Sequence, residues 1–270
     1  MLALIAGRGD LPPAIVAALR GAGEPVPLIC EMRGFVADLP ADLPRRPFRL
    51  EHLGSFLADL RALGVTEVCL AGAVTRPDID PHEIDAATAP LVPRLQAAIT
   101  KGDDGALREI IAILEGAGLT LRGAHDIAPD LLPPAGVLTR AAPAARHKSD
   151  AVAGDAGIVE MGRADVGQAC VVSGGAVIAT EGQDGTDAML GRIDRARARR
   201  GLLYKAPKPQ QDRRADLPVI GPKTARMAAE AGLDGIVIEA GGVMVLDLPQ
   251  VLGLLDSHGM FLWVRPKGDT

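Results

Sequence analysis

The chain has 270 residues, room for one large domain or two modest ones, and 48% of them are apolar against 23% charged, a globular balance that excludes disorder. Six aromatic residues, four Phe with one Trp and one Tyr, are too few for the ring-stacking surface that holds single-stranded nucleic acid; with a net charge of −5, nucleic acid is not expected as a partner. No uninterrupted apolar run reaches the roughly 18 residues of a membrane span.

In chain order, Leu2 to Ile5 reads as a short buried strand. Gly7-Arg8-Gly9-Asp10 turns the chain, with Asp10 suited to an N-cap and Pro12 and Pro13 to the first turn of a helix reaching about Arg20. The first residues lack the basic and long apolar regions of a signal peptide, so a cytoplasmic address is expected. A second strand is predicted over Val26 to Cys30, an amphipathic helix over Phe56 to Leu63, and a third strand over Glu67 to Leu70, running into Ala71-Gly72. Helices near Ile84 to Thr100 and Ala106 to Glu115 complete the half. Strand–helix–strand alternation implies a parallel sheet flanked by helices, a Rossmann-like α/β domain over residues 1–128.

Pro129, Pro133, Pro134, Gly136 and Pro143 interrupt every periodic pattern, which marks residues 129–143 as a linker. A second α/β domain is expected over 144–270. Its predicted elements are a helix over Ser149 to Met161, strands at Ala169 to Ser173 and Ala176 to Thr180, and a helix from Thr186 to Arg199. Strands near Leu202, Ile236 and Phe261 to Val264 follow, with helices over Thr224 to Ala231 and Leu248 to His258.

Most catalytic motifs fail on inspection. Gly7-x-Gly9 lacks the third glycine of a nicotinamide fingerprint, since Pro12 stands there; the turn can still offer backbone N–H groups to a phosphate. Arg108 to Gly116 resembles a Nudix box, but Ala112 and Ile113 occupy acid positions. No G-x-x-x-x-G-K-[ST] loop occurs, and Val171 to Gly175 lacks the first glycine of a nucleophile elbow. Cys30, Cys69 and Cys170 stand far apart, no Cys-x-x-Cys pair occurs, and the five histidines are scattered, so zinc and iron–sulfur sites are not expected and the thiols read as reduced.

Charge is concentrated instead. From Arg192 to Arg226 eleven basic residues face Asp194, Asp212 and Asp216, a local excess of +8. Part of this is a solvated helix face, but Lys205, Lys208, Arg213 and Arg214 surround Pro207 and Pro209 in a loop suited to an anion. Upstream, Gly185-Thr186-Asp187 places a hydroxyl and a carboxylate at a helix start. Carboxylates alternating with cations in a stiffened segment suit a magnesium ion held against a diphosphate. On spacing alone, helix capping by Thr186 or Asp187 and surface ion pairing by the aspartates weigh about as much.

The residues in sequence resemble the LpxI-type UDP-2,3-diacylglucosamine pyrophosphatases of lipid A biosynthesis. The resemblance is carried by Gly7-x-Gly9-x-Leu11-Pro12, Ala71-Gly72-Ala73-Val74-Thr75-Arg76-Pro77, Gly102-Asp103-Asp104 and Asp165-x-Gly167-Gln168. It continues through Glu181-Gly182, Gly185-Thr186-Asp187-Ala188-Met189-Leu190, Lys205-x-x-Lys208-Pro209-x-Gln211-Asp212 and Asp216 to Thr224. Arg8 stands where the family has a glycine, and Gln183-Asp184 departs from its pattern before Gly185.

The resemblance implies a two-domain enzyme with its site between the domains, and magnesium-dependent (or manganese-dependent) hydrolysis to UMP and 2,3-diacylglucosamine 1-phosphate, by water attack on the sugar-bound phosphorus. Asp216, Asp212 and Asp187 are the catalytic candidates it implies, with Asp216 and Asp212 as metal ligands. Leu11, Pro12, Gly72, Thr75, Asp103, Gln168, Gly185, Thr186, Lys205 and Lys208 are its substrate-binding candidates. The partner is the UDP-linked diacylated glucosamine lipid, met by peripheral contact at the inner membrane, and a homodimer is left open. A nucleotide-dependent oxidoreductase or transferase, and a non-catalytic binding module for a nucleotide-linked lipid, stand as the competing readings.

Overall fold

In the computed structural model, which describes residues 1–74, 79–100 and 102–268, short apolar runs near the start become the strands of one parallel sheet. β1 (Leu2–Ala6), β2 (Leu28–Cys30), β3 (Glu67–Ala71) and β4 (Thr120–Leu121) lie in the order β2-β1-β3-β4, every neighbouring pair parallel. Strands covered on both faces need no polar alternation, and β1 and β2 have none. The helices are α1 (Leu11–Gly21), α2 (Leu53–Ala62), α3 (Val92–Thr100), α4 (Asp103–Gly116) and the single turn α5 (Ala124–Ile127). Phe56, Leu57 and Leu60 of α2, Leu95 of α3, and Ile113 and Leu114 of α4 pack against Ala3 and Val68 of the sheet.

The helix expected over Ile84 to Thr100 is shorter than its pattern. Residues 84–88 form a turn instead, because the Asp85 carboxylate accepts the Thr88 N–H at 2.7 Å and the Thr88 hydroxyl accepts the Gly54 N–H at 2.8 Å. Gly54 permits this approach, since a Cβ there would lie 2.1 Å from the Ala87 carbonyl oxygen. A single 3-10 turn at Ala89–Leu91, containing Pro90, then leads into α3.

The second sheet is mixed. It contains β5 (Gly136–Val137), β6 (Ala169–Ser173), β7 (Ala176–Thr180), β8 (Leu202–Lys205), β10 (Gly235–Glu239) and β12 (Phe261–Arg265), in the order β5-β12-β10-β8-β6-β7. β8, β10 and β12 are mutually parallel, and β6 joins β8 antiparallel. β9 (Val219–Ile220) and β11 (Met244–Val245) form a separate parallel pair. The helices are α6 (Ala145–Ala164), α7 (Gly185–Arg192), α8 (Arg195–Ala198), α9 (Pro222–Glu230) and α10 (Leu248–Ser257).

Alternation along the strands sorts side chains onto two faces. Leu203, Ile236, Ile238 and Leu262 meet Met189, Ala225, Ala228 and Val251 on one face, while Leu202, Tyr204, Val237 and Phe261 meet Ala151, Ile158 and Met161 of α6 on the other.

Two expectations change here. The helix predicted from Thr186 to Arg199 is broken at Ile193–Asp194, because the Asp194 carboxylate accepts the Ala196 N–H at 2.9 Å and caps a new turn. Within the Pro/Gly-rich stretch, Gly136–Val137 is an antiparallel edge strand on β12, where flanking prolines are tolerated. By internal contacts the chain divides into Met1–Pro129 with Asp212–Asp216, and Asp130–Gln211 with Leu217–Thr270.

Cys30, Cys69 and Cys170 are buried free thiols, each pushed up to about 12 by burial. Only the thiolate is nucleophilic, so iodoacetamide at pH 8 should leave the native protein unmodified and add three groups after denaturation, read by intact mass. Rapid modification of the native protein would contradict this packing.

Candidate active site

The carboxyl ends of the parallel strands in the second sheet carry charge where the strand interiors are apolar. Lys205 ends β8, Glu239 ends β10 and Arg265 ends β12, with Glu239 opposite Arg265 and Lys205 opposite Ile238. All three are buried, as are Glu181, Thr186 and Lys208. Charge removed from water is stable only when paired and hydrogen-bonded, and each of the two sheet faces supplies its own partners.

On the α7 face, Lys205 Nζ donates to Thr186 Oγ1 at 2.7 Å, and the Thr186 hydroxyl donates to Glu181 Oε1 at 2.6 Å. Glu181 Oε2 accepts the Gln168 N–H at 2.6 Å, and the ammonium lies 3.9 Å from Glu181 Oε1. Backbone geometry makes these contacts. Gly167 has φ +60° and a Cβ there would lie 2.4 Å from the Glu181 carbonyl oxygen, so glycine alone allows the two segments to meet. Gly185, at φ +86°, turns the chain into α7 so that Thr186 points inward. Thr186 is therefore not a cap: the N-cap position is Asp184, which makes no capping bond and pairs with Arg192 instead. Asp187 pairs with Lys223 of α9 at 2.8 Å. Lys208 is ion-paired with Asp165, whose left-handed backbone at φ +51° ends α6.

On the α6 face, Tyr204 donates its hydroxyl to Asp155, which also accepts from Arg265 at 2.7 Å. Burial, and then the hydrogen bond to Asp155, push the Tyr204 phenol well above its ordinary range. Gly154 makes room for the Tyr204 ring, which a Cβ would approach to 2.4 Å.

In the first unit the strand order changes direction between β1 and β3, the place where α/β sheets of this kind hold ligands. Gly7 and Gly72 stand at the ends of those strands. A Cβ on Gly7 would lie 2.6 Å from the Ala73 carbonyl oxygen, and one on Gly72, at φ +89°, would lie 2.8 Å from that of Arg8. Arg8 and Ala73 exchange backbone hydrogen bonds of 2.9 and 2.8 Å. The Arg8 side chain leaves the turn, donating to the Gly34 carbonyl at 3.0 Å and lying 5.1 Å from the Phe35 ring centroid. Leu11 is half-buried and Pro12 buried in the first turn of α1, while Asp10 occupies the N-cap position without the side-chain hydrogen bond expected of it. Thr75 and the Asp103 side chain lie outside the described residues.

Asp212 and Asp216 belong to a turn counted with this unit, with the Asp216 N–H 3.3 Å from the Asp212 carbonyl. Both Asp212 oxygens accept from Arg214, Oδ2 at 2.7 Å, and Arg214 also reaches Glu115 of α4 at 2.9 Å. The Arg214 hydrogen bonds hold the Asp212 carboxyl below the usual carboxylate range. Among the described residues no three His, Cys, Asp or Glu side chains gather as a metal cluster.

A family model described as the LpxI N-terminal domain matches residues 1–131, and one described as the LpxI C-terminal domain matches residues 134–263. The chain belongs to the LpxI family. A curated relative from Caulobacter vibrioides, named UDP-2,3-diacylglucosamine pyrophosphatase LpxI, is 39% identical over 275 residues, covering 98% of each chain.

Of the substrate-binding candidates, Thr186, Lys205 and the Gln168 backbone come together around Glu181, and Gly185 leads into them. Glu181 belongs to one of the sequence motifs, whereas Asp155, Tyr204, Glu239 and Arg265 belong to none. The signal for the last two was a charged residue closing an otherwise apolar strand, as in Ile236-Val237-Ile238-Glu239 and Leu262-Trp263-Val264-Arg265.

The Asp212–Arg214 pair sets a pH-dependent contribution. A carboxyl lowered on folding contributes stability above its unfolded pKa of about 3.9, and that contribution is lost as pH falls through the folded value. Arg214→Gln should raise the Asp212 pKa toward the ordinary range by NMR titration and lower the melting temperature more at pH 7 than at pH 2.5. An equal loss at both values would show that the pair has no such role.

Proposed function

We propose that this chain hydrolyses the diphosphate of UDP-2,3-diacylglucosamine to UMP and 2,3-diacylglucosamine 1-phosphate. The observation that carries this reading is the end-to-end similarity to a relative bearing that pyrophosphatase name, with both family domains matched in order. The buried cations fit a doubly charged diphosphate: Lys205 and Lys208 stand at the carboxyl edge of the second sheet. In the reaction a water oxygen bonds to the sugar-bound phosphorus, the bond from that phosphorus to the bridging oxygen breaks, and UMP leaves with the bridging oxygen. Asp216 orients the water and draws off its proton.

Asp212 and Asp216 are hard oxygen donors four residues apart on one turn, and a carboxylate has about four lone-pair sites, so Asp212 can serve Arg214 and a cation together. That set fits magnesium, which takes one or two carboxylates and completes its shell with water and phosphate oxygens; manganese prefers the same hard donors. When bound, the ion would neutralise charge developing on the phosphate oxygens.

No helix among the described residues is long and apolar enough to cross a membrane. We place the protein in the cytoplasm, meeting its lipid by peripheral contact at the inner membrane, where two acyl chains remain partly in the bilayer.

Activity on UDP-2,3-diacylglucosamine should disappear in excess chelator and return with magnesium or manganese. Asp216→Asn keeps the shape and removes the charge, so turnover should fall ~100-fold or more with substrate binding retained. Near-wild-type turnover in the folded variant would take Asp216 out of the mechanism, and undiminished turnover in chelator would take the metal out.

A further inference from the structure

The Thr186 hydroxyl has no capacity left to recognise a ligand as a donor: its one proton goes to Glu181 at 2.6 Å, and its oxygen accepts from Lys205 at 2.7 Å. It stands between an ammonium and a carboxylate that would otherwise attract each other directly. Their separation of 3.9 Å is beyond the 2.7–2.9 Å of a direct charge-assisted hydrogen bond. Lys205 has three N–H donors, and the hydrogen bond to Thr186 is the one its ammonium makes among the described residues. Lys208, three residues on, differs, because its ammonium is in direct contact with Asp165.

We propose that Thr186 is a positioning residue, a spacer that keeps the Lys205 ammonium off Glu181 so that its remaining donors stay available to a phosphate oxygen of the diphosphate. The assignment rests on the pyrophosphatase reading above and deepens it. Glu181 anchors the spacer from below: its second oxygen is held by the Gln168 N–H, and its backbone N–H donates to the Ala169 carbonyl at 2.8 Å. With the carboxylate fixed, the hydroxyl is fixed, and the ammonium takes its direction from the hydroxyl. Without that hydroxyl, the lysine stem can swing its charge the short distance onto Glu181 and form a closed ion pair like Lys208–Asp165, with less charge left for a ligand.

The spacer role and a packing role predict opposite signatures for Thr186→Val, which keeps the shape and removes the hydroxyl. If Thr186 is a spacer, the variant holds inorganic pyrophosphate about 10-fold more weakly by calorimetry, with KM for the nucleotide lipid raised more than kcat is lowered and the melting temperature maintained. Thr186→Ser, which keeps the hydroxyl, binds like the unsubstituted protein. Adding Glu181→Gln to Thr186→Val removes the charge onto which Lys205 would collapse, and so restores most of the pyrophosphate affinity. Unchanged pyrophosphate affinity in folded Thr186→Val, or a double variant no better than the single one, would overturn the proposal. Should the valine variant not fold, the unsubstituted protein still decides: pyrophosphate should slow acylation of Lys205, mapped by mass spectrometry, and absence of protection would overturn the assignment. The binding arm uses no nucleotide lipid, so failure to hydrolyse UDP-2,3-diacylglucosamine would count against the function without deciding the spacer.

Discussion

The constraint on which the charged edge of the second sheet depends is the buried chain from Lys205 through Thr186 to Glu181. An ammonium out of water costs several kcal/mol unless compensated, and here the compensation comes from a hydroxyl and a carboxylate supplied by a different strand end and a helix start. The local features of the sequence around it have that requirement in common. Gly167 lets the end of α6 meet the end of β7, Gly185 turns the chain so that Thr186 faces inward, and Lys205 takes the side of β8 that Leu203 also takes. The opposite side of β8 repeats the solution with different groups, since Tyr204 and Arg265 share Asp155. Buried charge at the carboxyl edge of a parallel sheet is the arrangement expected of a ligand site rather than of a core.

The first unit uses backbone rather than charge. Gly7 and Gly72 draw the ends of β1 and β3 together closely enough for Arg8 and Ala73 to pair. Arg8 fits this turn because its backbone keeps the pairing while its side chain departs toward Gly34 and Phe35. The Asp212–Asp216 turn is anchored differently, by an arginine shared between Asp212 and Glu115.

Much of the fold was legible because apolar periodicity was clear. The strands at Ala169–Ser173 and Ala176–Thr180 were placed to the residue, and the first strand and helix within one. Misreadings arose where a short polar contact overrode periodicity, as with Asp194 splitting one helix into two and Thr88 holding a turn where a helix was expected. The two-residue strands β4, β5, β9 and β11 are too short for any period to register. Within the site, Lys205 and Thr186 were legible through family motifs, but their partnership with Glu181 was not, because it joins residues separated by turns whose geometry depends on glycine φ angles. The ion pair of Asp187 with Lys223 joins α7 to α9 and is likewise invisible in the sequence.

The proposed reaction cleaves the diphosphate by water attack at the sugar-bound phosphorus. The direct test is phosphorus NMR of UDP-2,3-diacylglucosamine incubated with the purified protein and magnesium in ¹⁸O-enriched water. Water attack at that phosphorus should remove the diphosphate resonances and give UMP and a sugar 1-phosphate, with the isotope shift on the sugar phosphate alone. Diphosphate resonances that persist, or an isotope shift on UMP, would contradict it.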